Sequence, residues 1–240
     1  MRPSLLFIAL LAMAMATLTG CASTGTGTAR VLEKGESSVG VGADLLIAAP
    51  ELNDAQRTRI PWFQFTASYK RGLGSPLLDR RVEAGARLWG MGIPGFFTAG
   101  AALDGKWGLL QRPKMERGWE IALAPSTGYH QINLGGAATH TFLGTLSVPF
   151  GYNFGVSHGD QFIIAPRIDV QSARSNTQNT IRYAFGGASI SYAWHPFENF
   201  AILPQFVLLY SPIRFNGTLD DPERRGYVFS QYGMGFFYSF

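Results

Sequence analysis

The chain of 240 residues has few charges, a single cysteine and, beyond its first 20 residues, no long hydrophobic run. No apolar stretch after residue 20 approaches the roughly 20 residues that a membrane-spanning helix needs, which excludes a helical membrane protein. Charged residues form 15% of the chain, below the roughly 25% that is typical of soluble domains. The single cysteine, Cys21, excludes an intramolecular disulfide.

Signals for several kinds of site are also missing. The formal net charge is +4, which is too small to indicate nucleic-acid binding. The chain has four histidines, and no two of them are near enough in sequence to indicate a local metal site. We therefore expect no nucleic-acid partner, no metal and no cofactor.

The N-terminus carries the pattern of a secretion signal. Arg2 precedes an apolar run over residues 5–16, and the tetrapeptide Leu-Thr-Gly-Cys follows at 18–21. This tetrapeptide resembles the bacterial lipobox. The resemblance implies that the preceding peptide is removed and that Cys21 receives a diacylglyceryl group and an N-terminal acyl group such as palmitate. Ala22, where an aspartate would favour the inner membrane, implies sorting to the outer membrane.

The C-terminal segment alternates strictly between two kinds of residue. One face carries Tyr232, Met234, Phe236, Tyr238 and Phe240, and the other carries glycine or serine at 233, 235 and 239. A period of two indicates a β-strand, and an apolar face opposite a small or polar one is typical of a membrane barrel wall. Tyr232, Phe236, Tyr238 and Phe240 also resemble the C-terminal signal that the barrel assembly machinery recognises.

Nine further segments share this alternation, and most are close to the roughly 9 to 11 residues of a tilted membrane strand. The ten predicted strands cover residues 37–47, 60–70, 81–89, 96–106, 118–124, 140–154, 162–171, 181–194, 200–210 and 227–240. The fifth is short, and residues 125–138 after it are predicted to form a long external loop. Eight strands remain the alternative if one hairpin among strands three to five lies outside the wall.

From residue 37 onwards the chain resembles small bacterial outer-membrane β-barrels, without matching a specific characterised family. We expect an all-β fold, an antiparallel transmembrane β-barrel of about ten strands. An even number of strands places both termini on the periplasmic side. The resemblance implies outer-membrane lipids and lipopolysaccharide as partners, with the barrel assembly machinery and lipoprotein-processing enzymes acting during biogenesis.

The chain is therefore predicted to have three parts. Residues 1–20 form the lipoprotein signal peptide, and residues 37–240 form the barrel domain. Between them, residues 21–36 include a Ser/Thr/Gly tract at 22–29, and such a composition is typical of flexible linkers. We expect a lipidated, flexible tether over residues 21–36.

Alternation places ten charged residues on the inward faces of the strands. The acids are Asp44, Glu83, Asp104, Glu120 and Asp169, and the bases are Arg81, Arg87, Lys106, Arg167 and Arg182. Isolated charges in a narrow interior are costly, whereas balanced charges can pair. Because barrels of about eight strands are filled by side chains and open channels appear at about sixteen, we expect a charge network that plugs the lumen. A narrow, charge-lined pore is the alternative.

An outer-leaflet enzyme would need a nucleophile and a base near the external rim. His130 and His140 are predicted at that end, with Ser126 nearby. The residues that follow His140 depart from the His-x-Ser pattern of outer-membrane phospholipases, and no acid at a suitable spacing completes the set. We predict no catalytic residues.

The sequence favours a lipid-anchored outer-membrane barrel with a structural or interaction role in the envelope, with or without narrow conductance. The main alternative is transport of small solutes or apolar molecules across the outer membrane. An outer-leaflet lipid-modifying enzyme and a soluble, ligand-binding barrel lipoprotein are further alternatives, because an architecture by itself does not determine an activity.

Overall fold

A computed structural model describes most of the chain from residue 27 onwards. The described residues are 27–50, 61–74, 81–93, 96–134, 137–155, 158–175, 180–211, 214–216 and 227–240. No helix in these ranges is long and apolar enough to cross a bilayer.

Twelve β-elements follow one another along the described chain. They are β1 (Ser37–Pro50), β2 (Pro61–Gly72), β3 (Val82–Ile93), β4 (Phe96–Leu110), β5 (Gly118–Leu134), β6 (Ala137–Ser147), β7 (Phe150–Asn153), β8 (Gln161–Ser175), β9 (Thr180–Phe197), β10 (Phe200–Ser211), β11 (Arg214–Asn216) and β12 (Tyr227–Ser239).

These elements form a closed antiparallel barrel with ten wall positions. Each wall strand pairs with its sequence neighbours, and β1 pairs with β12 to close the sheet. β6 and β7 are two halves of one wall strand, since both lie between β5 and β8, and β11 is a short addition to β9. The predicted ten-stranded barrel is confirmed, and the eight-stranded alternative is wrong.

The predicted loop over residues 125–138 is wrong. β5 continues to Leu134 and pairs with β4 on one side and β6 on the other. The polar residues Ser126 and His130 had suggested a loop, but they occupy inward positions of the wall, where side-chain partners satisfy them. Pairing on both sides therefore overrides the weak local strand propensity of this segment.

The predicted sixth strand, residues 140–154, is interrupted at Val148 and Pro149. Proline has no N–H to donate to a β-ladder and is found at strand breaks and bulges. The neighbouring strands compensate through single backbone bonds, from Val148 N to the Pro166 carbonyl and from Ala122 N to the Pro149 carbonyl. The wall thus stays closed across the break.

The two faces of the wall differ as predicted. In β12 and the residue after it, Tyr232, Tyr238 and Phe240 are exposed on the outer face, whereas Gln231 is fully buried inside. Apolar side chains are exposed in this way on strands around the barrel, including Val41, Leu88, Leu103, Phe142, Ile168, Val170, Trp194 and Leu208. Ser37, at the start of β1, exchanges two backbone hydrogen bonds with Phe240, just after β12. These two residues mark one opening of the barrel, which we call the terminal end.

Residues 27–36 enter the lumen at the terminal end, and we call this segment the plug. Ala29 and Val31 in it are completely buried. A flexible tether was expected over residues 21–36. In the plug, residues 27–36, the chain is instead held in place, because lumen side chains bond to its backbone. Residues 21–26, including Cys21, and the predicted signal peptide lie outside the described residues.

Gly72, at the end of β2, permits close approach of the plug. A Cβ at this position would lie 1.9 Å from the Glu33 carbonyl oxygen, so Gly72→Ala must displace the plug. We expect a loss of about 1 to 3 kcal/mol of stability, measured as a lower temperature for conversion of the folded, fast-migrating gel band to the unfolded one. The control is Gly144→Ala in β6, where a Cβ meets no atom within 4 Å. Equal conversion temperatures for both variants would contradict the docking.

Candidate functional site

The candidate site is the lumen, beginning with the contacts that hold the plug at the terminal end. Two glutamine side chains bond to the plug backbone, one from the start of β8 and one from the residue after β4. Ala29 N donates to Gln161 Oε1 at 2.9 Å, and Val31 N donates to Gln111 Oε1 at 2.8 Å. Gln111 Nε2 donates in return to the Ala29 carbonyl at 3.1 Å. Side chains thus hold this part of the plug backbone in place, whereas Gly35 and Glu36 bond to the backbone of Gly72 at the end of β2.

Glu120, on β5, anchors the plug by charge. Its side chain is fully buried and accepts hydrogen bonds from the Arg30 guanidinium, with Nη2 at 3.1 Å. It also accepts bonds from Gln161 Nε2 and from the backbone N of Arg112. A buried carboxylate requires such partners to offset its loss of hydration, so Arg30 and Glu120 depend on each other.

Glu83, on β3, is the second carboxylate below the plug. Lys106 Nζ lies 3.1 Å from its Oε1, and Lys70 Nζ lies 3.7 Å from the same oxygen. Its Oε2 accepts a bond from the backbone N of Leu32 in the plug. One buried carboxylate is therefore shared by two buried ammonium groups and by the plug.

Two arginine-aspartate pairs lie further into the lumen, and we call them the charged pairs. Arg87 binds Asp104, with Nη2 to Oδ1 at 2.7 Å, and the same Nη2 donates to Ser126 Oγ at 3.0 Å. Arg167 binds Asp169 through Nη2 to Oδ2 at 2.7 Å. All four charged side chains are nearly buried, and geometry of this kind makes charge-assisted bonds strong.

The remaining predicted lumen charges differ in their settings. Asp44 is fully buried and accepts a hydrogen bond from Thr66 Oγ1. Arg81 binds Glu33 of the plug at 3.1 Å, near the terminal opening. Arg182 has a described backbone on β9, where it pairs with Ser172, but its side chain lies outside the described part. Its place in the network stays a prediction.

Four side chains that hold the plug or its carboxylates were absent from the predicted network. Lys70 and Gln161 follow the inward register of β2 and β8, so strand alternation alone could have found them. Arg30 and Gln111 lie outside the strands, and no periodic pattern marks them. Their role depends on the entry of the plug into the lumen, which the composition of residues 22–29 did not indicate.

The structure separates the three residues considered for catalysis. His130 is buried in the lumen beside Thr98 and the Trp89 ring. His140 lies on the outer face of the wall, opposite to the face that carries His130. It is the strand partner of Gln131 and its ring contacts Tyr129. Ser126 lies four residues from His130 on the same strand, about 13 Å along it, and is bonded to Arg87. Within the described ranges no cluster of three or more His, Cys, Asp or Glu side chains could hold a metal ion.

The described lumen residues line a large cavity at the terminal end and two small voids further in. A cavity of about 420 Å³, which we call the terminal cavity, opens there beside the plug. Two further voids of about 20 Å³ each lie among the charged pairs. A void of this size accommodates about one water molecule, so side chains close the lumen at the charged pairs.

The outer surface carries an aromatic band near the terminal end. The rings of Trp119 and Tyr152 lie 5.1 Å apart, and Tyr152 in turn contacts Phe154, which lies near Tyr192. Such girdles mark the interface level of transmembrane barrels. An apolar outer face, an aromatic band and a polar, charged lumen together are the architecture of small outer-membrane β-barrels, as the sequence predicted.

No protein-family model matches the chain, and no curated protein matches it. Among solved structures, it resembles the attachment invasion locus protein Ail of Yersinia pestis (13% identity, 86% of this chain and 99% of that chain covered, TM-score 0.27). It also resembles the outer membrane protease OmpT from Escherichia coli (9%, 89% and 100%, TM-score 0.42) and the translocator domain of the autotransporter NalP from Neisseria meningitidis (9%, 98% and 95%, TM-score 0.39). These TM-scores are all below 0.5, and the barrel fold of this chain is established by its own strand pairing.

Removal of the Glu120 carboxylate is expected to loosen the plug. Glu120→Ala leaves Arg30 and Gln161 without their acceptor, and breaking a buried ion pair costs about 3 to 5 kcal/mol. Hydrogen exchange of the Ala29 and Val31 amides should then be at least about tenfold faster.

The matched control is Glu116→Ala, which also removes a carboxylate from an arginine. Glu116 binds Arg112 at a half-exposed surface position, where an ion pair contributes about 1 kcal/mol or less. Exchange at Ala29 should be unchanged in this variant. Unchanged exchange in Glu120→Ala would show that Glu120 does not hold the plug.

Proposed function

We propose that the protein is a lipid-anchored outer-membrane β-barrel with a structural or interaction role in the envelope and no standing aqueous pore. The observation that carries this proposal is the closure of the lumen at two levels. The plug occupies the terminal end, with Ala29 and Val31 fully buried. Further in, the charged pairs leave voids of only about 20 Å³. A protein closed in this way acts through its outer surface and its loops.

The distribution of side chains supports a membrane location. The outer face exposes apolar residues on strands all around the wall, whereas the buried charged and amide side chains, such as Asp44, Glu120 and Gln231, face inward. In water such an outer face would cost about 25 cal/mol per Å² of apolar surface, and in lipid this cost disappears. The first wall strand begins at Ser37, which is bonded to Phe240 after the last wall strand. A periplasmic N-terminus therefore implies a periplasmic C-terminus.

The position of the plug supports lipid attachment at Cys21. Gly27 lines the terminal cavity, and six residues of extended chain span at most about 20 Å. Acyl chains on Cys21 would therefore reach the leaflet next to the terminal end. Anchor and plug are then parts of one short segment.

Biogenesis in this proposal needs the partners that the sequence implied. The barrel assembly machinery would recognise the outward aromatic residues of β12, and lipoprotein-processing enzymes would act at Cys21. Outer-membrane lipids and lipopolysaccharide would surround the wall. Arg174 is exposed near the end of β8, and its guanidinium would bind lipopolysaccharide phosphates by bidentate hydrogen bonds.

The alternatives are distinguished by particular features. Transport of small solutes would begin at the terminal cavity, but it requires displacement of both the plug and the charged pairs. A lipid-modifying enzyme based on His130 and His140 would require the two histidines to act together, and they lie on opposite faces of the wall. A soluble lipoprotein would require a polar outer face.

Planar-bilayer recording tests the closed lumen. The folded wild-type protein should give no resolved conductance steps. Two variants each remove one closure and leave the other intact, so neither should conduct. One variant deletes residues 27–34, and the other replaces four side chains by Ser, those of Arg87, Asp104, Arg167 and Asp169.

The combined variant, with all four substitutions and the deletion, removes both closures and should conduct. It also shows that the assay can detect an open barrel, provided that its gel band confirms folding. Steps from wild-type protein would instead support the transport alternative.

Fractionation tests the membrane location separately from the lipid. Cys21→Ser should abolish incorporation of labelled palmitate but leave the protein integral to the outer membrane, because the barrel wall itself is embedded. The variant should still need detergent and migrate differently before and after heating. Release of the variant into the soluble periplasmic fraction would refute a transmembrane barrel.

A further inference from the structure

The Lys70 ammonium group is buried beside the terminal cavity and lacks a hydrogen-bond acceptor among the described residues. Its side chain is 8% exposed, and its nearest carboxylate oxygen, Glu83 Oε1, is 3.7 Å away. That distance exceeds the roughly 2.7 to 3.2 Å of a hydrogen bond. The same oxygen is already bound by Lys106 at 3.1 Å. Within the described ranges, the three N–H donors of Lys70 therefore have no acceptor, and they lie beside the terminal cavity.

Lys70 and Lys106 together outnumber the carboxylates that form ion pairs with them. Lys70 and Lys106 share one carboxylate, Glu83, and the next acid along the lumen, Asp104, is bound by Arg87. Among the described residues, no carboxylate other than the shared Glu83 lies within 4.0 Å of the Lys70 ammonium group, and a buried charge without a partner of its own is costly. The other described carboxylates that line the terminal cavity, those of Glu33, Glu36 and Glu198, form no ion pair with Lys70, whose partner is Glu83.

An apolar wall lies next to this cationic group. Leu203 on β10 and Phe237 on β12 pack together, and both line the terminal cavity with Ala201 and Leu32. The Lys70 Nζ lies 5.7 Å from the centroid of the Phe237 ring. The cavity thus offers unused cationic donors and an apolar surface within a few ångströms of each other.

We propose that the terminal cavity binds a small amphipathic monoanion, a carboxylate attached to a short apolar chain. The carboxylate accepts hydrogen bonds from Lys70 and balances its charge, and the apolar chain lies along Leu203 and Phe237. A volume of about 420 Å³ is at the lower end of the range for small-molecule pockets, which limits the ligand to a short chain. This proposal concerns a binding site and stands whether or not the lumen conducts.

Octanoate is the probe that tests the site, measured by titration calorimetry on the full-length barrel in lipid nanodiscs with empty nanodiscs as the blank. We expect saturable binding of one octanoate per barrel. Octanol, which lacks the charge, and acetate, which lacks the apolar chain, should each bind at least about tenfold more weakly. These comparisons use the unaltered protein and do not depend on the folding of a variant.

Lys70→Met keeps the apolar stem and removes the charge, so it should weaken octanoate binding by at least about tenfold. The matched control is Arg71→Met, one residue further along β2, where the side chain is exposed on the other face of the wall. This variant should bind octanoate like the wild type. The proposal is overturned if octanoate and octanol bind equally, if acetate binds as tightly as octanoate, or if folded Lys70→Met retains wild-type affinity.

Discussion

The structure depends on one constraint, which is that charges enclosed in a narrow lumen must find partners inside it. A ten-stranded wall removes these groups from water, and an unpaired ion in that setting costs several kcal/mol. The chain meets the constraint with pairs such as Arg87 with Asp104 and Arg167 with Asp169. It also draws its own N-terminal segment into the lumen, where Arg30 pairs with Glu120. The side chains that neutralise one another in these pairs are therefore also the ones that fill the lumen.

Hydrogen bonding imposes the same requirement on the plug. Gly35 and Glu36 exchange backbone bonds with Gly72 of β2, but further into the lumen the plug lies away from the sheet, and its N–H groups need side-chain acceptors. Gln161, Gln111 and Glu83 provide them at three amides, those of Ala29, Val31 and Leu32 respectively. The plug is thus held by the same inward polar residues that line the wall, and the polar lumen has a structural role without any solute passing through it.

Alternation along the sequence predicted the strands, the closed ten-stranded wall and the faces of β12, because a barrel wall fixes each side chain by its register. It failed over residues 125–138, where inward polar residues such as Ser126 resemble a loop. It also missed Arg30 and Gln111, since they act from segments outside the strands. Contacts between a non-periodic segment and the lumen depend on the whole fold, and local sequence carries no signal for them.

Two closures at different depths argue against a simple gate. The Arg87 pair lies four residues beyond Glu83 on β3, about 13 Å further along the strand, so displacing the plug would not open the lumen. A solute path would also require the charged pairs to separate, at a cost of about 3 to 5 kcal/mol for each buried pair broken. Binding of a ligand in the terminal cavity does not offset this free-energy cost, because the ligand contacts Lys70 and not the charged pairs. The terminal cavity is therefore better understood as a binding pocket at one end of a closed barrel than as the entrance to a channel.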